Sequence, residues 1–352
     1  MNRRKIVLNL IAALLLGLPS ACLAAGEILE VPASIRSRGM GETGVADEAD
    51  PLNFHYNPAI LGQAKGAFVS GNTFRSPEYR DWNTRTHGLA AGGALISHRA
   101  DGKIHLAGAI QYTSVDWGNW PVSDGGDGLT AVNPRDQYGS LVVAGAFIRP
   151  DEFDVSAGMA VNVLEERRPP HPDQSAVAVD LGVKAGGVAV NSRHLRISLA
   201  MGMSYANLGG ETSPVTYATY PWPERTRYGF TVRTETASWP AVDRLLGSRV
   251  PVLTLTTSLD LARARESWRA YPQNFGAEPG RSTIHMFGQE VSLFNVLSLR
   301  FGHLSAEEIE GGTFGLGAGL RHGRYWARFD YSRMEAFYQT RFGYGISAGI
   351  DY

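Results

Sequence analysis

Two glycine-rich stretches and nine histidines are the places where this sequence offers chemistry. Gly39-Met40-Gly41-Glu42-Thr43-Gly44 matches G-x-G-x-x-G, a pattern that cradles a pyrophosphate when an apolar strand precedes it and a helix N-terminus follows. Here Ser34-Ile35-Arg36-Ser37-Arg38 precedes it and an acidic stretch broken by Pro51 follows, so the glycines read as those of a tightly folded segment. Gly345-Ile346-Ser347-Ala348-Gly349 matches G-x-S-x-G, yet a nucleophile elbow needs a helix after its serine and Asp and His partners later in the chain. Only Ala348 to Tyr352 follow, and Ser347 reads as a strand residue on a polar face. The histidines form no H-x-x-x-H pair and have no cysteine beside them, which gives zinc little support; His105, His194 and His322 are expected to face a lumen or a strand end. Arg167-Arg168-Pro169-Pro170-His171-Pro172 reads as a stiff turn carrying solvated charge. The expectation is a protein that is not an enzyme and uses no cofactor and no metal.

The elements that carry these residues read as strands. In Phe342–Tyr352 every even position is apolar or aromatic (Tyr344, Ile346, Ala348, Ile350 and Tyr352 among them), and every odd one is small or polar. Successive side chains of a strand point to opposite faces, so one face meets an apolar medium and the other a polar one. A lipid-facing barrel strand needs about 9–11 residues and carries aromatics at its ends, and this stretch fits both requirements as a candidate C-terminal signal for barrel-assembly machinery. From Gly66 onward about fourteen such runs recur, separated by Gly, Pro, Asp and Asn. One run sets Leu195, Ile197, Leu199, Met201, Met203 and Tyr205 against His194, Arg196, Ser198 and Ser204; another sets Tyr325, Ala327, Phe329 and Tyr331 against Arg324, Trp326, Arg328 and Asp330. Charge on the second face excludes a dry sandwich core there. Short links (Pro150-Asp151-Glu152, Gly323) alternate with long ones (Gly118–Asp136, Gly209–Glu224, Ala237–Val250, Arg263–Arg281), as tight periplasmic turns alternate with external loops in a bacterial barrel. Ala241–Leu246 has the makings of a short helix inside its loop. Trp117, Trp120, Tyr217, Tyr220, Trp222 and Trp239 in or beside these loops either line a surface for hydrophobic ligands or sit at the lipid headgroup level.

Composition agrees. The chain has 352 residues, 43% hydrophobic and 19% charged, with 41 Gly and a net charge of −1, which argues against a nucleic-acid partner. No internal run of about 20 apolar residues is present, but a barrel hides from that test because its lumen-facing half is polar. Arg3, Arg4 and Lys5, the apolar run Ile6–Leu18 and the small residues Ala21-Cys22-Leu23-Ala24-Ala25 make a secretory signal over residues 1–24, cut after Ala24 or Ala25. Cleavage removes the only cysteine, Cys22; lipid attachment at Cys22 is the alternative, although Pro19-Ser20-Ala21 lacks the usual upstream aliphatic residue. Residues 25–65 show no sustained period and read as a plug, and 66–352 as the barrel. The fold class is therefore an all-β transmembrane antiparallel β-barrel with an N-terminal plug inside it, placed in the outer membrane with membrane lipid as its first partner.

Arg36-Ser37-Arg38-Gly39-Met40-Gly41-Glu42-Thr43-Gly44-Val45-Ala46, followed by Asp50 and Asn57-Pro58-Ala59-Ile60-Leu61, resembles the N-terminal hatch of the FadL-like outer-membrane proteins, in which R-x-x-G-M-G-x-x-x-V-A leads to N-P-A-x-L. Pro223-Glu224-Arg225-Thr226-Arg227-Tyr228-Gly229-Phe230, Gly288-Gln289-Glu290-Val291 through His303, and Thr313–Leu320 with Phe329-Asp330-Tyr331 resemble the PorV/PorQ branch more particularly. The resemblance implies a barrel of about fourteen strands with the N-terminal segment folded inside it. It also implies one of two roles. FadL members move long-chain fatty acids or other hydrophobic compounds, which leave sideways through a wall opening near the hatch; PorV members are partners and shuttle proteins of a secretion system and move no small molecule. This chain is shorter than typical fatty-acid transporters and does not match their ligand-binding loops. The candidate hatch residues are Arg36, Arg38, Asn57 and Pro58: the arginines would pair with a carboxylate head group or with acidic lumen residues such as Asp330, and Asn57-Pro58 would fix a turn.

Overall fold

The computed structural model describes residues 33–76, 84–99, 103–118, 120–123, 129–149, 152–167, 173–209, 224–247, 249–264, 283–306, 309–336 and 339–351. The signal stretch, residues 25–32, Tyr217, Tyr220, Trp222 and Tyr352 lie outside them. In chain order the strands are β1 (Gly66–Ser76), β2 (Thr84–Arg99), β3 (Lys103–Asp116), β4 (Trp120–Ser123), β5 (Leu129–Val132), β6 (Arg135–Arg149), β7 (Phe153–Arg167) and β8 (Gln174–Asn191). They continue with β9 (Leu195–Leu208), β10 (Arg225–Thr236), β11 (Leu253–Ala264), β12 (Thr283–Leu293), β13 (Leu297–Ala306), β14 (Ile309–His322), β15 (Tyr325–Ala336) and β16 (Gln339–Asp351). All but β4 and β5 belong to one closed antiparallel ring in which each strand pairs with its neighbours in sequence. β1 pairs with β16 from Gly66↔Asp351 to Arg75↔Phe342, so no edge is left open. β4 and β5 form a separate hairpin. Each of the fourteen alternating runs became one ring strand, with ends within a few residues of the sequence reading.

Alternation decides which face is which. On β6, Leu141 and Val143 are exposed while Ser140, Val142 and Ala144 are buried; on β16, Tyr344 and Ile346 point out while Gly343, Gly345 and Ser347 are buried. Around the ring the exposed set includes Leu89 (63%), Ile110 (61%), Met201 (63%), Phe230, Leu259, Phe301 and Ile346 (64%). An apolar surface this extensive is incompatible with water, whereas a closed barrel satisfies its backbone internally and can stand in lipid. No described helix is long and apolar enough to cross a membrane. The chain is a multi-pass outer-membrane β-barrel. Ser347 accordingly belongs to strand β16, with its Oγ 2.9 Å from Ser70 Oγ across the β1–β16 pair.

One sequence expectation is corrected. Strand order puts the connection 237–252 at the same rim as the short turns at Glu152 and Gly323, not among the long loops. Helix α2 (Pro240–Leu246) packs there: Leu246 O accepts from Gly323 N at 3.0 Å, and the Trp239 and Phe294 rings lie 6.2 Å apart. Trp239 is thus an aromatic of the short-turn rim. The strand ends joined by 117–134, 210–223 and 265–282 open on the opposite, long-loop rim.

Residues 33–65 lie within the ring, because their bonds reach walls on all sides of it. Their sequence explains the short, broken turns. Helix α1 (Ile35–Gly39) is capped by Ser34, whose side chain accepts from Ser37 N; the 3-10 turns Pro51–His55 and Pro58–Gln63 are capped by Asp50 and Asn57, each with proline at the first position. From these turns bonds run to Asn72 on β1, Asp154 on β7, Val183 on β8, Ser204 on β9, Asp260 on β11, Glu290 on β12, Thr313 on β14 and Arg328 on β15.

Close approach demands glycine in the wall. A Cβ at Gly158 would stand 2.5 Å from Pro58 C and one at Gly345 would stand 2.8 Å from Ile35 Cγ1, while Cβ atoms at Gly182, Gly202, Gly288 and Gly302 would overlap Asn57, Val45, Met40 and Gly41. Together these glycines form a belt at mid-depth against which the segment's backbone rests. Gly41 itself has φ +69° and fits against the backbones of Phe287 and His303, so it is needed on both counts.

Candidate functional site

The N-terminal segment presents one face to each rim, and the two faces differ in charge bookkeeping. Toward the short-turn rim lies a chain of ion pairs. Arg36 contacts Asp47 through Nη1 and donates to both oxygens of Glu290 at 2.9 Å; Arg300 donates to Glu290 at 2.5 Å and to Asp330 at 2.7 Å; Arg328 donates to Asp330 at 2.5 Å and to Asp50 at 2.8 Å. Ser34 Oγ adds a 2.6 Å bond to Asp50. Burial by itself would lower the Arg36 guanidinium, but Asp47 and Glu290 outweigh it and hold it charged. Burial likewise would raise Asp50, and Arg328 and Arg36 hold it below the usual carboxylate range. The glycine at 317 leaves room for the Arg300 guanidinium. A second tether joins Lys184 on β8 to Glu48 and Asp154 at 2.6 Å each. Two cavities of about 310 and 620 Å³ open beside these groups, with Glu48, Gln63, Lys65 and Arg321 lining both.

Toward the long-loop rim the balance is different. Arg38 is 3% exposed, stacks on Phe74 with its guanidinium carbon 4.4 Å from the ring centroid, and makes no ion pair among the described residues; its Nε has no hydrogen-bond partner. Burial pushes it down to about 10. Arg227 on β10 stacks on Tyr56 at 4.7 Å, also without an ion pair among the described residues. Burial, with the charges of Arg227 and Arg225 beside it, pushes the His55 imidazole down to about 3. The neighbouring inner wall carries two apolar clusters among polar groups: Ala262, Met286, Leu304 and Met334 on β11 to β15, and Val115, Tyr138, Leu164, Ala176 and Ala178 on β3 to β8.

The outer wall carries a recess of about 530 Å³ among Met201, Tyr228, Phe230, Leu259 and Phe287. Behind it, Gly202 and Gly229 touch Val45 of the segment, and Asp260 accepts from Gly44 N at 2.7 Å and Val45 N at 2.9 Å. Where recess and segment meet, Gly202 and Gly229 bring the segment against the wall and Asp260 bonds to it between them.

Of the four hatch candidates, three are saturated. Arg36 is fully ion-paired. Asn57 donates to Val45 O (2.8 Å) and Val183 O (3.0 Å) and accepts from Ala59 N (3.1 Å), and Pro58 follows as the first residue of its turn. Arg38 alone keeps donors to spare. Asp330 does bind arginine, but Arg300 and Arg328, not the hatch pair. Among the glycine motif's residues, Gly41 N donates to Thr313 and Gly44 N to Asp260, so the motif is committed to packing. Arg227, His55 and Tyr56 were missed in the sequence; the one available signal was Arg225-x-Arg227 on the polar face of a strand. His105 lines a lumen cavity, whereas His194 and His322 are exposed at strand ends. Of the C-terminal candidates, Tyr344 and Ile346 are exposed outward and Ala348 and Ile350 are half-buried on the same face.

No protein-family model matches the chain, and no curated protein matches it. Solved structures do match: the toluene transporter TodX of Pseudomonas putida aligns over 90% of this chain and 97% of its own at 9% identity, with a TM-score of 0.51. The monoaromatic hydrocarbon channel CymD aligns over 90% of this chain and 96% of its own at 9% identity, with a TM-score of 0.47. The likeness to TodX is one of fold.

Proposed function

We propose that this barrel admits hydrophobic compounds passively across the outer membrane, with residues 33–65 acting as a plug. The observation that carries the reading is the pairing of a segment bonded inside the ring with apolar surfaces on both sides of the adjoining wall: Ala262, Met286, Leu304 and Met334 inside, and the Met201–Tyr228–Leu259 recess outside. A solute entering from the long-loop rim meets apolar side chains above the plug, and the recess gives it a lipid-facing way out. A hydrophobic solute gains about 0.8 kcal/mol per CH₂ on leaving water, so movement down a gradient needs no energy source. TodX, described as a toluene transporter, shares the fold and so supports the class of solute. For acidic compounds such as long-chain fatty acids, Arg38 is the residue whose charge is available to the head group.

The test is uptake by cells carrying the chain, with a labelled monoaromatic hydrocarbon and a labelled long-chain fatty acid. Faster entry of the hydrophobic solute than in cells without the chain supports the proposal, and selective slowing of the acid by Arg38→Met assigns the head group. Entry of neither solute above background would overturn it. The tight seat of the plug also favours a second reading, a closed barrel serving as the partner or shuttle of a secretion system like PorV; that reading expects no uptake and a protein that stays bound through purification.

A further inference from the structure

Between the 3-10 turn Pro51–His55 and strands β6 to β10 lies a small polar cavity of about 20 Å³, bordered by Tyr138 of the neighbouring apolar cluster and sharing no lining residue with the lumen cavities near the short turns. We propose that it binds one small monovalent anion of chloride size, held by Arg227 and Tyr56 with His55 beside them.

Three buried atoms facing this cavity have no hydrogen-bond partner: Arg227 Nη1, Tyr56 Oη and His55 Nδ1. Arg227 is 7% exposed and Tyr56 2%. The carboxylate in the lining, Asp180, does not ion-pair with Arg227. Its Oδ2 accepts from Asn162 Nδ2 at 2.7 Å and its Oδ1 from Asn207 N at 2.6 Å. A bulge in the β8–β9 pairing creates that second bond: the register shifts between Val179 and Leu181, and Asn207 takes φ +61°, turning its N–H inward. The bulge thus turns the acid's hydrogen bonds to Asn162 and Asn207 and leaves Arg227 Nη1 without a hydrogen-bonded acceptor, although Asp180 and Asp260 stand near enough to act on its charge.

A buried guanidinium with an unmet donor is costly, and an anion meets donor and charge together where a water molecule meets the donor alone. Size selects the occupant, since the cavity has room for about one small sphere and none for a carboxylate with a tail. Arg227 and Tyr56 supply donors in the stacked geometry that fixes the guanidinium, and the neutral imidazole of His55 adds an N–H in one tautomer.

The experiment is crystallisation of the full chain with sodium bromide replacing chloride, reading anomalous difference density at the bromine edge. A peak within hydrogen-bond distance of Arg227 Nη1 and Tyr56 Oη is expected, and its absence there would overturn the site in favour of a bound water. In detergent solution at constant ionic strength, the wild-type barrel should unfold at higher temperature in bromide than in gluconate. Arg227→Gln and, as a milder change, Tyr56→Phe should each weaken the apparent bromide affinity, the arginine change by about tenfold or more. Equal bromide dependence in wild type and Tyr56→Phe, or in wild type and a folded Arg227→Gln, would contradict the assignment.

Discussion

Arg36 and Arg38 are near neighbours in α1, yet the barrel treats them oppositely. Arg36 points toward the short-turn rim into four carboxylates shared with Arg300 and Arg328. Arg38 points toward the long-loop rim, over Phe74, with no acid in ion-pair range among the described residues. Burial costs both guanidiniums their hydration, but only one recovers it through neighbours. One face of the segment is thus a fastening, and the other keeps a buried arginine with no ion pair among the described residues. Cutting the fastening should therefore cost far more stability than removing the Arg38 charge.

The sharpest break is Arg36→Met, which leaves Asp47 buried without its cation and Glu290 with Arg300 alone. Denaturant unfolding of the refolded barrel should lose about 3–5 kcal/mol, and Asp47→Asn on top should return part of it. Next comes acid. His55 is held near 3 in the fold against about 6.5 unfolded, so between those values the unfolded chain binds a proton that the folded chain does not. Stability should fall as pH drops below 6.5, by about 1.4 kcal/mol per unit and about 2 kcal/mol by pH 5, and His55→Gln should flatten that slope. Gly302→Ala forces a Cβ onto Gly41 and should cost about 1–3 kcal/mol, read from the same unfolding curves. Arg38→Met should change stability least, by under about 1 kcal/mol or in the stabilising direction, while slowing uptake of an acidic solute. A loss there as large as that of Arg36→Met would erase the contrast between the faces.

The barrel was legible because its rule is local: alternation in runs such as Tyr344-Gly345-Ile346-Ser347 states which face meets lipid, and turn residues mark each end. The turn at Asn57-Pro58 was equally local, whereas the caps Ser34 and Asp50 were not read from a segment without a sustained period. The partners were not. Glu290 lies 254 residues from Arg36, and nothing in either neighbourhood says that they meet. The loop 237–252 was misplaced because length alone does not tell a rim; only strand parity does. Arg227 was overlooked because one more basic residue on a polar strand face looks solvated until the bulge at Asn207 is seen to occupy its acid.

The central claim is that the plugged barrel carries a hydrophobic solute on the side of Arg38. Native mass spectrometry of the protein extracted gently from its own outer membrane tests it most directly, comparing wild type with Arg38→Met. The account predicts a reproducible small-molecule adduct on the wild-type barrel, absent from a control barrel, whose acidic members are depleted in the variant. A stoichiometric protein partner with no adduct would contradict it and point to the secretion role instead.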